Sequence, residues 1–321
     1  MNDGPSIRAV LERANLEQAW EQVRANKGAP GVDEVTVKRW ERHWQENLDR
    51  LSYLVRTNTY HPNRPRRFRV LKKDGGWREL AILTVSDRVL QRATLNVLAP
   101  AFEQVFLQGS YGYRPERGVM QAVEHVLHAR DHGQRWVFDA DIDDCFNQLA
   151  HSVILSGVRQ VVSNVTLLRL VELWLATGER RGGSPVGETK SKRASKGVGI
   201  PLGAVISPLL CNIALHELDL TLHRAGWEFA RYADDFVVFT RSDVESVRAW
   251  NDVERTLAGL GLRLEPSKTR VASFEQGFTF LGVTFKRDTY AFTYAGKRIE
   301  VRGRNVSVLW NHLPEGYEWQ W

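Results

Sequence analysis

Arg231-Tyr232-Ala233-Asp234-Asp235-Phe236-Val237-Val238-Phe239-Thr240 places two adjacent carboxylates between an aromatic approach and a short apolar run. The apolar stretches on either side predict strands over 227–232 and 236–240, joined by a tight hairpin. Two acids at the tip of a buried sheet repel each other and resist desolvation. A cation bound at the tip resolves that conflict. An ordinary acidic surface turn avoids it, and this stretch alone leaves both readings open.

A second acidic stretch bears on the choice. Trp136-Val137-Phe138-Asp139-Ala140-Asp141-Ile142-Asp143-Asp144-Cys145-Phe146 alternates with period two. Trp136, Phe138, Ala140 and Ile142 therefore share one face of a strand, and Asp139, Asp141 and Asp143 the other. Acids crowded at the end of an apolar strand raise one another's pKa values unless a cation compensates them. Asp141, Asp234 and Asp235 are carboxylates that an α+β sheet can bring together. Oxygen ligands of this kind hold two Mg2+ ions, with Mn2+ as a substitute. Two such ions clamp the attacking and leaving oxygens of a phosphoryl displacement.

Working outward, Gly197-Val198-Gly199-Ile200-Pro201-Leu202-Gly203-Ala204 is a glycine-punctuated turn whose backbone a substrate can approach closely. It leads into a helix with Ser207 as N-cap and Pro208 at the first position. Residues 153–176 predict one Val- and Leu-rich helix. Residues 177–198 form a basic insert with Lys190, Lys192, Arg193 and Lys196, either a nucleic-acid-facing loop or a solvated surface segment. Upstream, Asp74-Gly75-Gly76 marks a hairpin that sets Lys73 and Arg78 near one tip, as a phosphate clamp or as solvated cations. Residues 1–59 read as helical, with Leu16, Ala19, Trp20 and Val23 on one stripe and Asp33 as a later cap. Helices are expected over 84–102 and 119–129, and between them Ser110-Tyr111-Gly112-Tyr113-Arg114-Pro115 sets aromatics beside a cation. That mixture suits nucleic acid or a buried loop anchor equally well. After the acidic hairpin come a helix over 243–260, a basic turn at 262–270, a strand with a glycine bend at 276–285 and a β-rich tail at 286–321. The expected divisions are 1–59, 60–135, 136–285 and 286–321.

Of the 321 residues 43% are hydrophobic and 26% charged, an ordinary globular balance with a net charge of +6. The modest basic excess is compatible with a nucleic-acid partner without demanding one. No apolar run approaches the ~18 residues of a membrane span and no signal-peptide pattern opens the chain, which predicts a soluble cytoplasmic protein. Cys145 and Cys211 are expected to be buried, reduced thiols.

Taken in order, these motifs resemble bacterial reverse transcriptases of the group II intron type. Tyr232-Ala233-Asp234-Asp235 is similar to the signature box of that family, and residues 140–146 to its first catalytic strand. Residues 199–212 resemble the nucleotide-site turn and helix, 262–269 the lysine-bearing segment, and Phe280-Leu281-Gly282 the primer-grip bend. Gly31-Val32-Asp33, 73–88 and 111–117 resemble the N-terminal and finger blocks, so the likeness runs from about residue 15 to 285. It implies an α+β right-hand polymerase with fingers and palm, its thumb absent or vestigial.

The resemblance also implies roles. Asp141 and Asp234 would ligate both metals, Asp235 would complete the cluster, and Ile142 counts among the metal-binding positions. Phe146 matches the steric gate against a ribonucleotide 2′-OH, Lys73 and Arg78 would hold the triphosphate, Gly203 and Ala204 would border the sugar, and Lys268 would protonate pyrophosphate. Leu202 stands where the family usually has Gln, and Asn147 where Asp is common. The implied reaction is RNA-directed DNA synthesis from dNTPs on a DNA or RNA primer. The short β-rich tail resembles the compact enzymes found beside CRISPR adaptation proteins, which implies integrase subunits as partners and spacer acquisition from RNA as the setting. A defence enzyme working with a non-coding RNA and a catalytically idle RNA-binding scaffold are the alternatives.

Overall fold

A computed structural model describes residues 4–71, 75–178 and 197–308. Lys73, the basic cluster at 190–196 and the end of the tail at 309–321 lie outside the described residues. The elements in order are α1 (Ile7–Val10), α2 (Arg13–Ala25), α3 (Val37–Glu41), α4 (Trp44–Arg56), β1 (Arg66–Leu71), β2 (Trp77–Ile82) and α5 (Val85–Glu103). Next come α6 (Val119–Asp131), β3 (Trp136–Asp141), α7 (Cys145–Gln148), α8 (His151–Val161), α9 (Val165–Gly178) and α10 (Ser207–Arg224). The chain continues with β4 (Glu228–Tyr232), β5 (Asp235–Thr240), α11 (Asp243–Gly259), β6 (Arg270–Ser273), β7 (Phe278–Phe280), β8 (Val283–Lys286), β9 (Thr289–Tyr294) and β10 (Lys297–Arg302). Two compact units emerge, each discontinuous in sequence: Met1–Val105 with Phe146–Ala214, and Phe106–Cys145 with Leu215–Trp321. They interleave along the chain.

In the first unit the stripe Leu16, Ala19, Trp20 and Val23 buries α2 against α5, and Trp20 meets Trp40 of α3 with ring centroids 4.4 Å apart. Thr36, rather than Asp33, caps α3: its hydroxyl accepts from Arg39 N, while the Asp33 carboxylate accepts from Val35 N in a turn two residues long. Thr84 caps α5, and Asp87 within its first turn is buried. Tyr60 Oη donates to Asp87 Oδ1 at 2.7 Å and Asn63 N to Oδ2 at 3.1 Å, which pins the extended segment before β1. Strands β1 and β2 pair antiparallel from Arg66–Ile82 to Leu71–Trp77, as the Asp-Gly-Gly signal predicts. The single helix expected over 153–176 is two, α8 and α9. Asn164 Oδ1 accepts from Leu167 N at 3.0 Å, so a capping side chain starts a new helix inside the apolar run. Ser207 is the first residue of α10 and not its cap; its hydroxyl donates to the Pro201 carbonyl at 2.8 Å and closes the glycine turn instead.

The second unit is built on an antiparallel sheet ordered β4-β5-β3-β6. Alternation gives it two buried faces. Val137, Val237 and Phe239 pack with Val119, Val123 and Val126 of α6. Phe138 points the other way, to Trp250 of α11, at a centroid distance of 5.2 Å. A second antiparallel sheet, β10-β9-β8-β7, shares the α6-side core through Phe278, Phe280, Phe285 and Phe292. The glycine bend is the turn between β7 and β8, where Leu281 and Gly282 both have positive φ, at 51° and 73°. The β-rich reading of the tail holds for β9 and β10. Arg114 is a buried loop anchor: its Nη1 donates to the carbonyls of Leu107 and Ser110 at 2.6 and 2.7 Å. Cys145 and Cys211 are buried and not joined in a disulfide. Among the described residues no helix is long and apolar enough to cross a membrane.

Candidate active site

Strand register decides which carboxylates meet. Asp141 lies directly opposite Asp235, Asp139 opposite Val237, and Val137 opposite Phe239. Opposed residues of an antiparallel pair share a face, so Asp139, Asp141 and Asp235 project from the face that α6 covers further along the strands. Ile142 N donates to the Asp234 carbonyl at 3.2 Å, which ties the end of β3 to the hairpin tip. The tip itself is narrow: Ala233 takes φ 59°, and a Cβ on Gly112 would stand 2.5 Å from Ala233 N. Only glycine allows the loop around residue 112 to lie this close.

The segment after α11 runs beside β3 and supplies cations. Ile142 bridges to Leu264, Asp143 N donates to the Arg263 carbonyl at 3.0 Å, and Glu265 N to the Asp141 carbonyl at 2.8 Å. Lys268 Nζ donates to Asp141 Oδ2 at 2.8 Å, Arg263 Nε to Asp143 Oδ2 at 2.7 Å, and Arg270 Nε to Asp139 Oδ2 at 3.1 Å. Asp139, Asp141 and Asp143 thus each receive one cation. Among the described residues no three His, Cys, Asp or Glu groups are already drawn into a cation cage. Asp235 remains the strained member. Burial, then the charges of Asp139, Asp141 and Asp234, raise its pKa well above the carboxylate range, and Lys268 offsets this only partly. Burial alone would lower the Lys268 ammonium, yet its bond to Asp141 and the charges of Asp141, Asp234 and Asp235 outweigh that and raise it. Buried Asp235, pushed upward beside Asp141 and Asp234, is a fitting environment for a hard divalent cation.

Asp139 is 7% exposed, and burial pushes its pKa from 3.8 to about 6 despite Arg270. Folded Asp139 therefore holds its proton more tightly than the unfolded chain does. Its contribution to stability is complete below the ordinary carboxylate range and is lost as pH rises through about 6, a swing on the order of 3 kcal/mol. Melting curves without divalent cations should show the wild type losing ground to Asp139→Asn between about pH 4 and pH 6. Parallel curves for the two proteins would contradict this.

Arg78, Phe146, Gly203 and Ala204 belong to the other unit, where hydrogen bonds knit their segments together. Arg78 is half-buried on β2, opposite Val70. Ala81 N of the same strand donates to the Leu202 carbonyl at 2.8 Å, and a Cβ on Gly203 would stand 2.7 Å from the Ala81 carbonyl. Ile200 N donates to the carbonyl of half-buried Phe146 at 2.8 Å, and Ala204 is 3% exposed. Sequence reasoning singled out neither the cations Arg263 and Arg270 nor the buried pair of Arg231 and Asp219, whose Nη2 to Oδ2 distance is 2.6 Å. One signal for the latter was available: an arginine inside the otherwise apolar Phe229-Ala230-Arg231 strand needs an acid.

Residues 70–285 match the family model described as reverse transcriptase (RNA-dependent DNA polymerase). Protein YkfC of Escherichia coli (strain K12) is 33% identical, over 86% of this chain and 81% of that protein. Group II intron-encoded protein LtrA of Lactococcus lactis subsp. cremoris is 28% identical over 66% of this chain, which spans only 34% of LtrA. Among solved structures, apo telomerase from Candida tropicalis shares the fold with a TM-score of 0.53 at 12% identity, covering 76% of this chain and 59% of that one. The acidic hairpin, the aspartate-bearing strand opposite it and a family match across both units agree: this chain belongs to the reverse transcriptases, the RNA-dependent DNA polymerases.

Proposed function

We propose that reverse transcription by this chain runs at Asp141, Asp234 and Asp235, with a primer 3′-OH attacking the α-phosphate of a dNTP. The observation that carries this reading is the register that sets Asp141 opposite Asp235 beside the tip residue Asp234, where burial first, and then the charges of Asp139, Asp141 and Asp234, raise the Asp235 pKa. Asp141, Asp234, Asp235 and the carbonyl of Ile142 would hold Mg2+. When bound, the ions offset charge on the phosphoryl oxygens and make the 3′-oxygen a better nucleophile. As the 3′-oxygen bonds to the α-phosphorus, the bond to the pyrophosphate oxygen breaks. The hydroxyl gives its proton to solvent water, and pyrophosphate gains one. Lys268, kept charged beside the acids, is the group we assign to donate that proton. Lys73 and Arg78 are assigned to the triphosphate, Gly203 and Ala204 to the sugar, and Phe146 to exclusion of a 2′-OH.

Primer extension on an RNA template tests this reading. DNA synthesis should require a divalent cation and dNTPs, and Phe146→Ala should raise ribonucleotide use about tenfold or more. Unchanged sugar discrimination would remove Phe146 from the role, and absence of product under every cation condition would leave the scaffold alternative. The setting we infer is spacer acquisition from RNA with CRISPR integrase subunits, supported by the sequence resemblance given above. Sequencing of co-purified RNA and of products separates the settings: diverse cellular RNA fits acquisition, and one dedicated non-coding RNA fits the defence alternative.

A further inference from the structure

Arg231, three residues before the acidic tip, is 0% exposed, and so is Asp219 of α10, which it faces. Nε donates to Asp219 Oδ1 at 2.7 Å and Nη2 to Oδ2 at 2.6 Å, a two-pronged pairing of guanidinium and carboxylate. Nη2 also donates to Ser110 Oγ at 2.9 Å. The remaining arm, Nη1, donates to the carbonyl of Ala233 at 2.9 Å. Ala233 is the tip residue in the left-handed region, directly before Asp234. The backbone of Arg231 is held as well: its N donates to the Gly109 carbonyl at 2.7 Å, and its carbonyl accepts from Tyr111 N at 2.8 Å.

A buried ion pair is weak evidence for stability, because apolar side chains of similar volume often serve as well or better. What an apolar pair cannot do is grip a carbonyl. A non-glycine residue at positive φ persists only where its surroundings over-determine it, and here the gripping atom belongs to Arg231. We infer that Arg231 and Asp219 form a positioning pair, which fixes the Ala233 carbonyl and through it the directions of the Asp234 and Asp235 carboxylates. Ligands for a cation must be held within about 0.5 Å of their working geometry, and this pair supplies that hold from the protein interior. The inference rests on the reading of these carboxylates as the cation site.

The test compares Arg231→Lys and the double variant Arg231→Met with Asp219→Leu against wild type, with Asp141→Asn as a control. The double variant leaves no orphaned charge but takes a donor from the Ala233 carbonyl and Ser110 Oγ, so it should fold and melt below wild type. Its DNA synthesis at saturating dNTP should fall about 100-fold, with KM for dNTP little changed. Its Mn2+ affinity, read by electron paramagnetic resonance, should weaken about tenfold. Arg231→Lys keeps the charge pair but cannot reach Asp219 and Ala233 together, so it should fold and lose both properties in part; it decides the matter if the double variant does not fold. A folded variant with wild-type rate and Mn2+ affinity overturns the positioning role. If Asp141→Asn also leaves both properties unchanged, the reading of the site itself has failed.

Discussion

Asp141→Asn is expected to reduce DNA synthesis about a thousandfold or more while leaving the protein folded. A metal ion at a phosphoryl centre contributes several kcal/mol of charge stabilisation, and about 4 kcal/mol is a thousandfold in rate. Asn keeps the size of Asp but presents no charge to a hard cation and makes a poor partner for Lys268. The cost to folding is small because the Lys268 side chain is 60% exposed, and ion pairs that open to water contribute little. Removing one charge also relieves Asp235, which Asp141 helps to push upward. Cation-free melting should therefore show the variant equal to or above wild type at neutral pH. Primer extension and melting on the same preparation check both halves. A rate within tenfold of wild type would displace Asp141 from the site.

Gly203→Ala should be nearly as damaging, through folding. Gly203 takes φ 102°, a conformation that L side chains rarely adopt, and the added Cβ would meet the Ala81 carbonyl at 2.7 Å. Neither atom belongs to a flexible side chain, so the turn or the strand must shift. Left-handed strain costs about 1–3 kcal/mol and overpacking a similar amount. The shift would open the Ala81 N to Leu202 carbonyl bond that joins the turn to β2. A loss of about 2–6 kcal/mol is expected from denaturant unfolding, together with a raised KM for dNTP. Gly261→Ala is the comparison: its φ is 75°, but a Cβ there meets nothing within 4 Å, so only the strain component remains. Equal losses at both positions would show that the close approach at Gly203 carries no weight.

The acidic site was legible in the chain because its signals are local. Period two placed Asp139 and Asp141 on one face, and the apolar runs on both sides of Asp234-Asp235 declared a hairpin. Contacts between remote segments were less visible. Lys268 reaches Asp141 across 127 positions, and Arg231 reaches Asp219 across twelve, from a strand to a helix. Asp219 lies between Leu218 and Leu220, where it looks like any solvated helix acid. The break between α8 and α9 was legible in principle, since Ser163-Asn164 interrupts the Val-rich run and Asn164 is a strong cap. Helix-forming neighbours on both sides masked it. Ser207 carried the right cap chemistry but spends its hydroxyl on Pro201, because the glycine turn folds back on itself.

Bound Mn2+, counted in a complex of the protein with template, primer and a non-hydrolysable dNTP, should come to two saturable cations per wild-type chain, and that occupancy should be lost in a folded Asp234→Ala variant. Equal occupancy in the two proteins, or no saturable binding in wild type, would contradict the two-cation reading.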